Sequence, residues 1–278
     1  MVLKLEQLLG SKNALTVLRK LTLEPHKQFG LTKLSEEICV SKSNILRVIR
    51  SLIDNKIVLE KESGRKKVYQ INSECKYAHL LYDLFMIERQ QALPAEFKNS
   101  VNLIFDQIKD KVSMFILFGS VAQNTSTTES DIDLCVVGDE DLSGLKFDVF
   151  GKKIEMHVYS EKDFDDVKDF VVLEALLNGI WYKGDSFHYL SNLRSIPKSY
   201  LIYRLNKAKS FTKKASLLKG QSREYFLSLA ETSLGEISSV LNNKTTLPKN
   251  KIKIKINKDL FEVIEEKLAL EGERIWII

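Results

Sequence analysis

No run of about 18 apolar residues occurs anywhere in the chain, so no segment is expected to cross a membrane as a helix. The opening, MVLKLEQLLG, lacks the charged-then-apolar order of a secretory signal. Cysteine is scarce: Cys39, Cys75 and Cys135 are odd in number, far apart and set among apolar neighbours. That argues against a disulfide framework or a cysteine metal site and for buried free thiols. Together these absences lead us to expect a cytoplasmic protein. Glycine and proline are modest at 12 and 4 residues, against 44% hydrophobic residues. That balance excludes a low-complexity chain and fits a globular one. At 278 residues there is room for two or three domains.

Acidic residues are under-represented at one end. Residues 1–90 hold 16 Lys plus Arg against 10 Asp plus Glu, a surplus of +6. The remaining 26 and 27 give −1 for residues 91–278. The whole excess of the +5 chain therefore sits at the N-terminus and points to a polyanionic partner there.

The most informative stretch is residues 118–134, FGSVAQNTSTTESDIDL. Asp131 and Asp133 are two apart, so in a strand both carboxylates face the same way. Paired carboxylates repel without a cation, and they suit Mg²⁺, which takes hard oxygen ligands and substrate phosphates. Met114–Phe118 is an apolar run of buried-strand length ending at Gly119-Ser120, where a small turn lets a phosphate approach backbone amides and the Ser120 hydroxyl. Ile132–Val137 is a second strand-like run, expected to lie beside the first. A third carboxylate comes from Lys153–Tyr159, where apolar residues at 154, 156 and 158 alternate with Glu155, His157 and Tyr159. Glu155 is favoured there, with Asp148 as its rival. Phe147–Val149 and Ile154–Val158 read as a hairpin across the Phe150-Gly151-Lys152 turn.

This order resembles the nucleotidyltransferase superfamily that includes DNA polymerase β-like enzymes, and most of all its minimal members. Gly119, Ser120, Asp131, Asp133 and Glu155 occupy the motif positions, within a region of about 95–190. The resemblance implies transfer of a nucleoside monophosphate, AMP or another, from an NTP such as ATP to a hydroxyl of a protein, RNA or small molecule. It implies two Mg²⁺ ions, or Mn²⁺, on Asp131, Asp133 and Glu155. Gly119, Ser120 and Ser130 form the phosphate-binding set. Relatives carry Ala-Arg-Gly after the Gly-Ser; here the residues are Ala122, Gln123 and Asn124. Asn tolerates the left-handed backbone that Gly would supply, whereas Gln123 cannot supply the Arg charge.

The first ninety residues read as three helices and two strands. Lys12–Leu23 has helical apolar spacing, and Gly30-Leu31-Thr32 opens a second short helix with Leu34 and Ile38 inward, broken at Val40-Ser41. Ser41 or Ser43 caps a third helix, with Ile45, Leu46, Val48, Ile49, Leu52 and Ile53 on its faces. Ile57–Leu59 and Val68–Ile71 flank a basic turn at 63–67. The pattern resembles the winged-helix DNA-binding domains. The resemblance implies that Lys42, Ser43, Asn44, Arg47 and Arg50 face DNA from the third helix, and that Arg65, Lys66 and Lys67 touch phosphates from the wing. Tyr77–Gln91 is a helix for linking domains, core packing or pairing two chains in a homodimer.

Downstream, Asp163–Leu177 reads as one helix leading to Asn178–Gly184, an apolar strand ending in Gly. Trp181 and Tyr182 serve either core packing or base stacking. Ser199–Lys219 and Arg223–Leu241 form a helix pair. They lack an Arg-x4–6-His motif, which excludes a helical RNase. Lys249–Ile256 alternates Lys with Ile, either an edge strand guarded by charge or a surface for nucleic acid or an acidic partner, and Leu260–Glu271 is a last helix. The expected class is α+β: a winged helix in 1–92, a mixed-sheet nucleotidyltransferase domain in 93–190 and a helical region in 191–278. The competing reading is a nucleotide-sensing transcriptional regulator or antitoxin-type repressor with a weak or inactive transferase domain.

Overall fold

The structure is a computed structural model and describes residues 11–64, 66–140, 142, 151–167, 169–193, 195–243 and 258–276. Two compact units divide it: Met1–Val158 with Leu176–Asn192, and Tyr159–Ala175 with Leu193–Ile278. The described residues form a mixed α+β structure.

The first unit begins with α1 (Lys12–Leu23), β1 (Phe29–Gly30), α2 (Leu31–Ile38), α3 (Lys42–Asp54), β2 (Val58–Ser63) and β3 (Lys66–Ile71). Ser11 caps α1 by accepting from Ala14 N–H, and Ser41 rather than Ser43 caps α3 through Asn44 N–H. The apolar stripes of the three helices bury Leu18, Leu21, Leu34, Ile45 and Ile49 against one another. The turn after α1 is pinned by charge: Glu24 accepts from Lys20 and Lys27, each at 2.7 Å. β2 and β3 form an antiparallel hairpin, and the two-residue β1 adds to β3 to give the order β1-β3-β2. That short third strand has no clear pattern in the sequence because two residues carry no period.

Helix α4 (Lys76–Gln91) follows, then α5 (Ala95–Ile108), β4 (Met114–Phe118), the single turn α6 (Gly119–Ala122), β5 (Ile132–Val137) and β6 (Ile154–Tyr159). After α7 (Glu161–Asp165) and α8 (Phe170–Asn178) come β7 (Ile180–Lys183) and α9 (Ser186–Ser191). The sheet order is β6-β5-β4-β7. β4 is antiparallel to both β5 and β7, and every residue of β4 is buried, as expected of a central strand. Phe97, Val101, Ile104 and Ile108 of α5 pack on one face of the sheet with Phe115, Leu117, Leu134 and Val136. Trp181 is buried, and Tyr182 packs against this core, so both serve packing.

In the second unit, α10 (Lys198–Ser216) and α11 (Gly220–Asn243) pack along each other with α12 (Lys258–Leu270). Strand β8 (Ser195–Pro197) pairs with β9 (Arg274–Trp276). A buried ion pair, Arg204 to Glu236, joins α10 to α11, and Tyr200 donates to Glu174 at 3.3 Å.

Two expectations change, and others are not reached. The single helix at Asp163–Leu177 is two, α7 and α8, broken where Val167 takes φ 45°, a conformation no helix accepts. Of the three free cysteines only Cys135 is buried; Cys39 is exposed, at the left-handed end of α2, and Cys75 is half-buried. Its apolar sequence neighbours misled because i±1 positions point elsewhere on a helix end. The expected strand at Phe147–Val149, the rival Asp148, Arg65 and the Lys/Ile segment 249–256 lie outside the described residues.

Candidate active site

Strand pairing builds the site. β4 and β5 are in register with Phe118 opposite Asp133, so the turn leaving β4 rests on the carboxylates leading into β5. Ile132 is fully buried while Asp131 and Asp133 are partly exposed, the alternation expected of an Asp-x-Asp strand. Ile132 N–H donates to the Lys153 carbonyl at 2.8 Å, which sets the start of β6 beside the start of β5. Ile154 and Met156 pack on the core and turn Glu155 to the open face.

Gly119 has φ +71°, and a Cβ placed on it would lie 1.9 Å from Asp133 Oδ2. Only glycine allows this turn to press so closely on the carboxylate. Asn124 has φ 54°, so it does adopt the left-handed backbone expected of it. The 125–130 loop is held from inside. Ser130 Oγ accepts from Thr127 N–H at 2.8 Å, Thr125 N–H donates to the Ser120 carbonyl at 3.0 Å, and Lys152 Nζ donates to the Thr128 carbonyl at 2.6 Å. Ser130 thus shapes the loop that carries Asp131.

Electrostatics single out Asp133. Burial first, then the neighbouring Glu155 and Asp131 charges, push its carboxyl up to about 6. Asp131 takes an ion pair from Lys153 at 2.9 Å, and Glu155 stands 3.5 Å from His157 Nε2. Asp133 has no ion pair among the described residues, and the His157 and Lys153 charges offset its rise only in part. The donor set is all hard oxygen around one strained carboxylate, which fits Mg²⁺ in chemistry. As they stand, though, no group of three or more His, Cys, Asp or Glu among the described residues is arranged to hold a metal ion.

Sequence reading passed over three residues here. Lys153 and His157 sit two residues either side of Glu155, and the period of two that selected Glu155 also puts them on its face. Arg89 had no signal. From α4 it donates to the Gly179 carbonyl at 2.7 Å, Asn178 at 2.9 Å and Ala122 at 3.4 Å. Its burial lowers its pKa, and it is the tie between α4 and the end of the Gly-Ser turn. Arg89→Gln should lower stability by about 2 kcal/mol through carbonyls left without a donor; urea unfolding checks this.

The nucleic-acid candidates divide. Lys42, Ser43, Arg47 and Arg50 are exposed on α3, with Asn44 partly so. Lys66 and Lys67 are exposed on the hairpin, and Lys67 is paired across it with Glu60 at 2.6 Å.

A glycine turn thus presses on Asp133, near the Asp131 and Glu155 charges, on a sheet backed by α5. Residues 99–188, about a third of the chain, match the family model described as a nucleotidyltransferase domain. No curated protein matches the chain. Among the described residues no helix is long and apolar enough to cross a membrane.

Proposed function

We propose that the chain is a metal-dependent nucleotidyltransferase that moves a nucleoside monophosphate, AMP foremost, from an NTP to a hydroxyl acceptor. The observation that carries this reading is the contact of Gly119 with Asp133, whose carboxyl is raised by burial and then by Glu155 and Asp131. A protein keeps such a cluster of like charges where a cation and phosphates are to be handled. Asp131, Asp133 and Glu155 would hold Mg²⁺, and the ion, when bound, neutralises charge on the triphosphate. The chain's own groups do the rest. The Gly119–Ser120 turn seats the phosphate oxygens, and the tether of the 125–130 loop keeps Asp131 in place. The acceptor oxygen bonds to the α-phosphorus, the bond to the β-bridging oxygen breaks, and pyrophosphate leaves. Glu155, exposed beside His157, takes the acceptor's proton.

The three-part organisation 1–92, 93–190 and 191–278 belongs to this reading. The helix–strand–helix–helix–strand–strand order of residues 12–71 and the sheet order β1-β3-β2 support a winged helix with α3 toward duplex DNA. Incubation with α-labelled NTPs, Mg²⁺ and candidate protein, RNA and small-molecule acceptors tests the transferase; label transfer with pyrophosphate release is the expected result. For the winged helix, Arg47→Glu with Lys66→Glu should weaken duplex binding at least about tenfold and flatten its salt dependence, read by fluorescence anisotropy.

Two observations favour the second reading, a nucleotide-sensing regulator with little turnover. Asp131 is occupied by Lys153, and Gln123 stands where relatives carry Arg. NTP binding without pyrophosphate release would decide for the sensor.

A further inference from the structure

The near-neutral balance of residues 91–278 conceals a strongly cationic segment. From residue 198 to 223 the chain has eight Lys or Arg and no Asp or Glu. Three of the eight are used internally. Arg204 is buried against Glu236, Lys209 pairs with Glu265 at 2.5 Å, and Lys198 donates to the Glu271 carbonyl at 3.0 Å. Lys207, Lys213, Lys214, Lys219 and Arg223 remain, and none has an ion pair among the described residues. The last four are exposed, around the turn from α10 to α11.

Aromatic side chains interleave these cations. Tyr203, Lys207, Phe211 and Lys214 follow one another at steps of four, four and three, which is a single stripe of α10. Lys207 Nζ lies 5.5 Å from the Tyr203 ring centroid, and Lys214 Nζ lies 5.7 Å from that of Phe226. Phe226 in turn sits 6.1 Å from Phe211 and 5.5 Å from Tyr225. Tyr225 is 50% exposed and Leu217, at the turn, is 80% exposed.

Cations without partners select a polyanion. Tyr203 is stacked on Phe170 at 4.5 Å, which leaves the half-exposed Tyr225 ring beside the cations to select a polyanion whose repeating units are flat and stackable. The stripe from Tyr203 to Lys214 runs about 16 Å along the helix, a track for an extended strand rather than a ring of charge around one inserted tip. We propose that the α10–α11 hairpin is a binding surface for single-stranded nucleic acid, with phosphates on Lys213, Lys214, Lys219 and Arg223 and a base on Tyr225. The surface is argued without the transferase site, so an inactive transferase would leave it intact.

The test uses the full chain with fluorescent poly(U), poly(dT) and a mixed-sequence duplex, with the two single strands separating RNA from DNA preference. Changing Lys213, Lys214, Lys219 and Arg223 together to Ala should weaken single-strand binding more than tenfold. It should also shrink the slope of log K against log salt by about 3, at about 0.7 for each phosphate contact. Tyr225→Ala should cost about tenfold with the slope unchanged, the mark of stacking. Lys111→Ala, at an exposed cation outside both basic surfaces, should leave single-strand binding as in the wild type. Single-strand binding that survives both hairpin variants overturns the proposal. So does a wild-type protein that binds phosphatidylserine vesicles but no oligonucleotide.

Discussion

Asp133→Asn is expected to cut nucleotidyl transfer about a thousandfold while making the ligand-free protein more stable at pH 7. The two effects have one cause. Burial and the charges of Glu155 and Asp131 raise the Asp133 carboxyl from 3.8 to about 6, so the ionised form is disfavoured in the folded chain. Between about pH 4 and pH 6 the folded state then holds more protons than the unfolded state, and stability falls as pH rises through that window. Above it the full penalty is present. In a dry site the displacement is worth about 3 kcal/mol; solvent reaching this half-exposed group reduces it to about 1 kcal/mol. Asn removes the charge, keeps the shape and lifts the penalty. Thermal unfolding of the two proteins at pH 7 and pH 4.5 measures it: the variant's advantage should be present at pH 7 and shrink at pH 4.5. Mg²⁺ should raise the unfolding temperature of the wild type and leave that of Asp133→Asn nearly unmoved. Equal melting at pH 7 together with retained transfer would remove Asp133 from the site.

The sequence made this carboxylate legible because strand chemistry is local. A period of two puts Asp131 and Asp133 on one face, and an apolar run ending in Gly-Ser says where the neighbouring strand stops. Register did the rest: Phe118 falls opposite Asp133, and the turn lands on the carboxylate. The same rule could have found Lys153 and His157, two steps from Glu155. Arg89 was illegible for a different reason. Its partners are backbone carbonyls at 122, 178 and 179, which any residue supplies, so nothing in the sequence marks the contact. The cationic hairpin was hidden by averaging, since residues 91–190, with 18 Asp plus Glu against 9 Lys plus Arg, cancel it in the sum over 91–278. Short elements escaped as well. β1 has two residues, and the break between α7 and α8 depends on a backbone angle at Val167 that its side chain does not announce.

Gly119→Ala is the sharper test of the geometry, because it alters one methyl group and no charge. Two costs add. At φ +71° an alanine pays about 1–2 kcal/mol for the left-handed conformation. Its Cβ would also stand 1.9 Å from Asp133 Oδ2 and 2.8 Å from Cγ, so the carboxylate or the turn must move. The Asp133 side chain is short and leaves a strand, and its β-carbon is itself 3.1 Å from the added atom. Rotation about χ1 therefore relieves only part of the overlap, and the turn lifts away from β5. A displacement on the order of 1 Å between phosphate seat and carboxylate is enough to cost about a hundredfold in rate. The expected result is a loss of about 2 kcal/mol in urea unfolding and about a hundredfold in transfer, with NTP binding weakened because Ser120 moves with the turn. The double variant Gly119→Ala/Asp133→Asn separates the two costs. Removing the charge does not remove the overlap, so the double variant should be less stable than Asp133→Asn by nearly the same margin. If Gly119→Ala instead transfers label as fast as the wild type, the turn does not seat the triphosphate, and the site must lie elsewhere on the sheet.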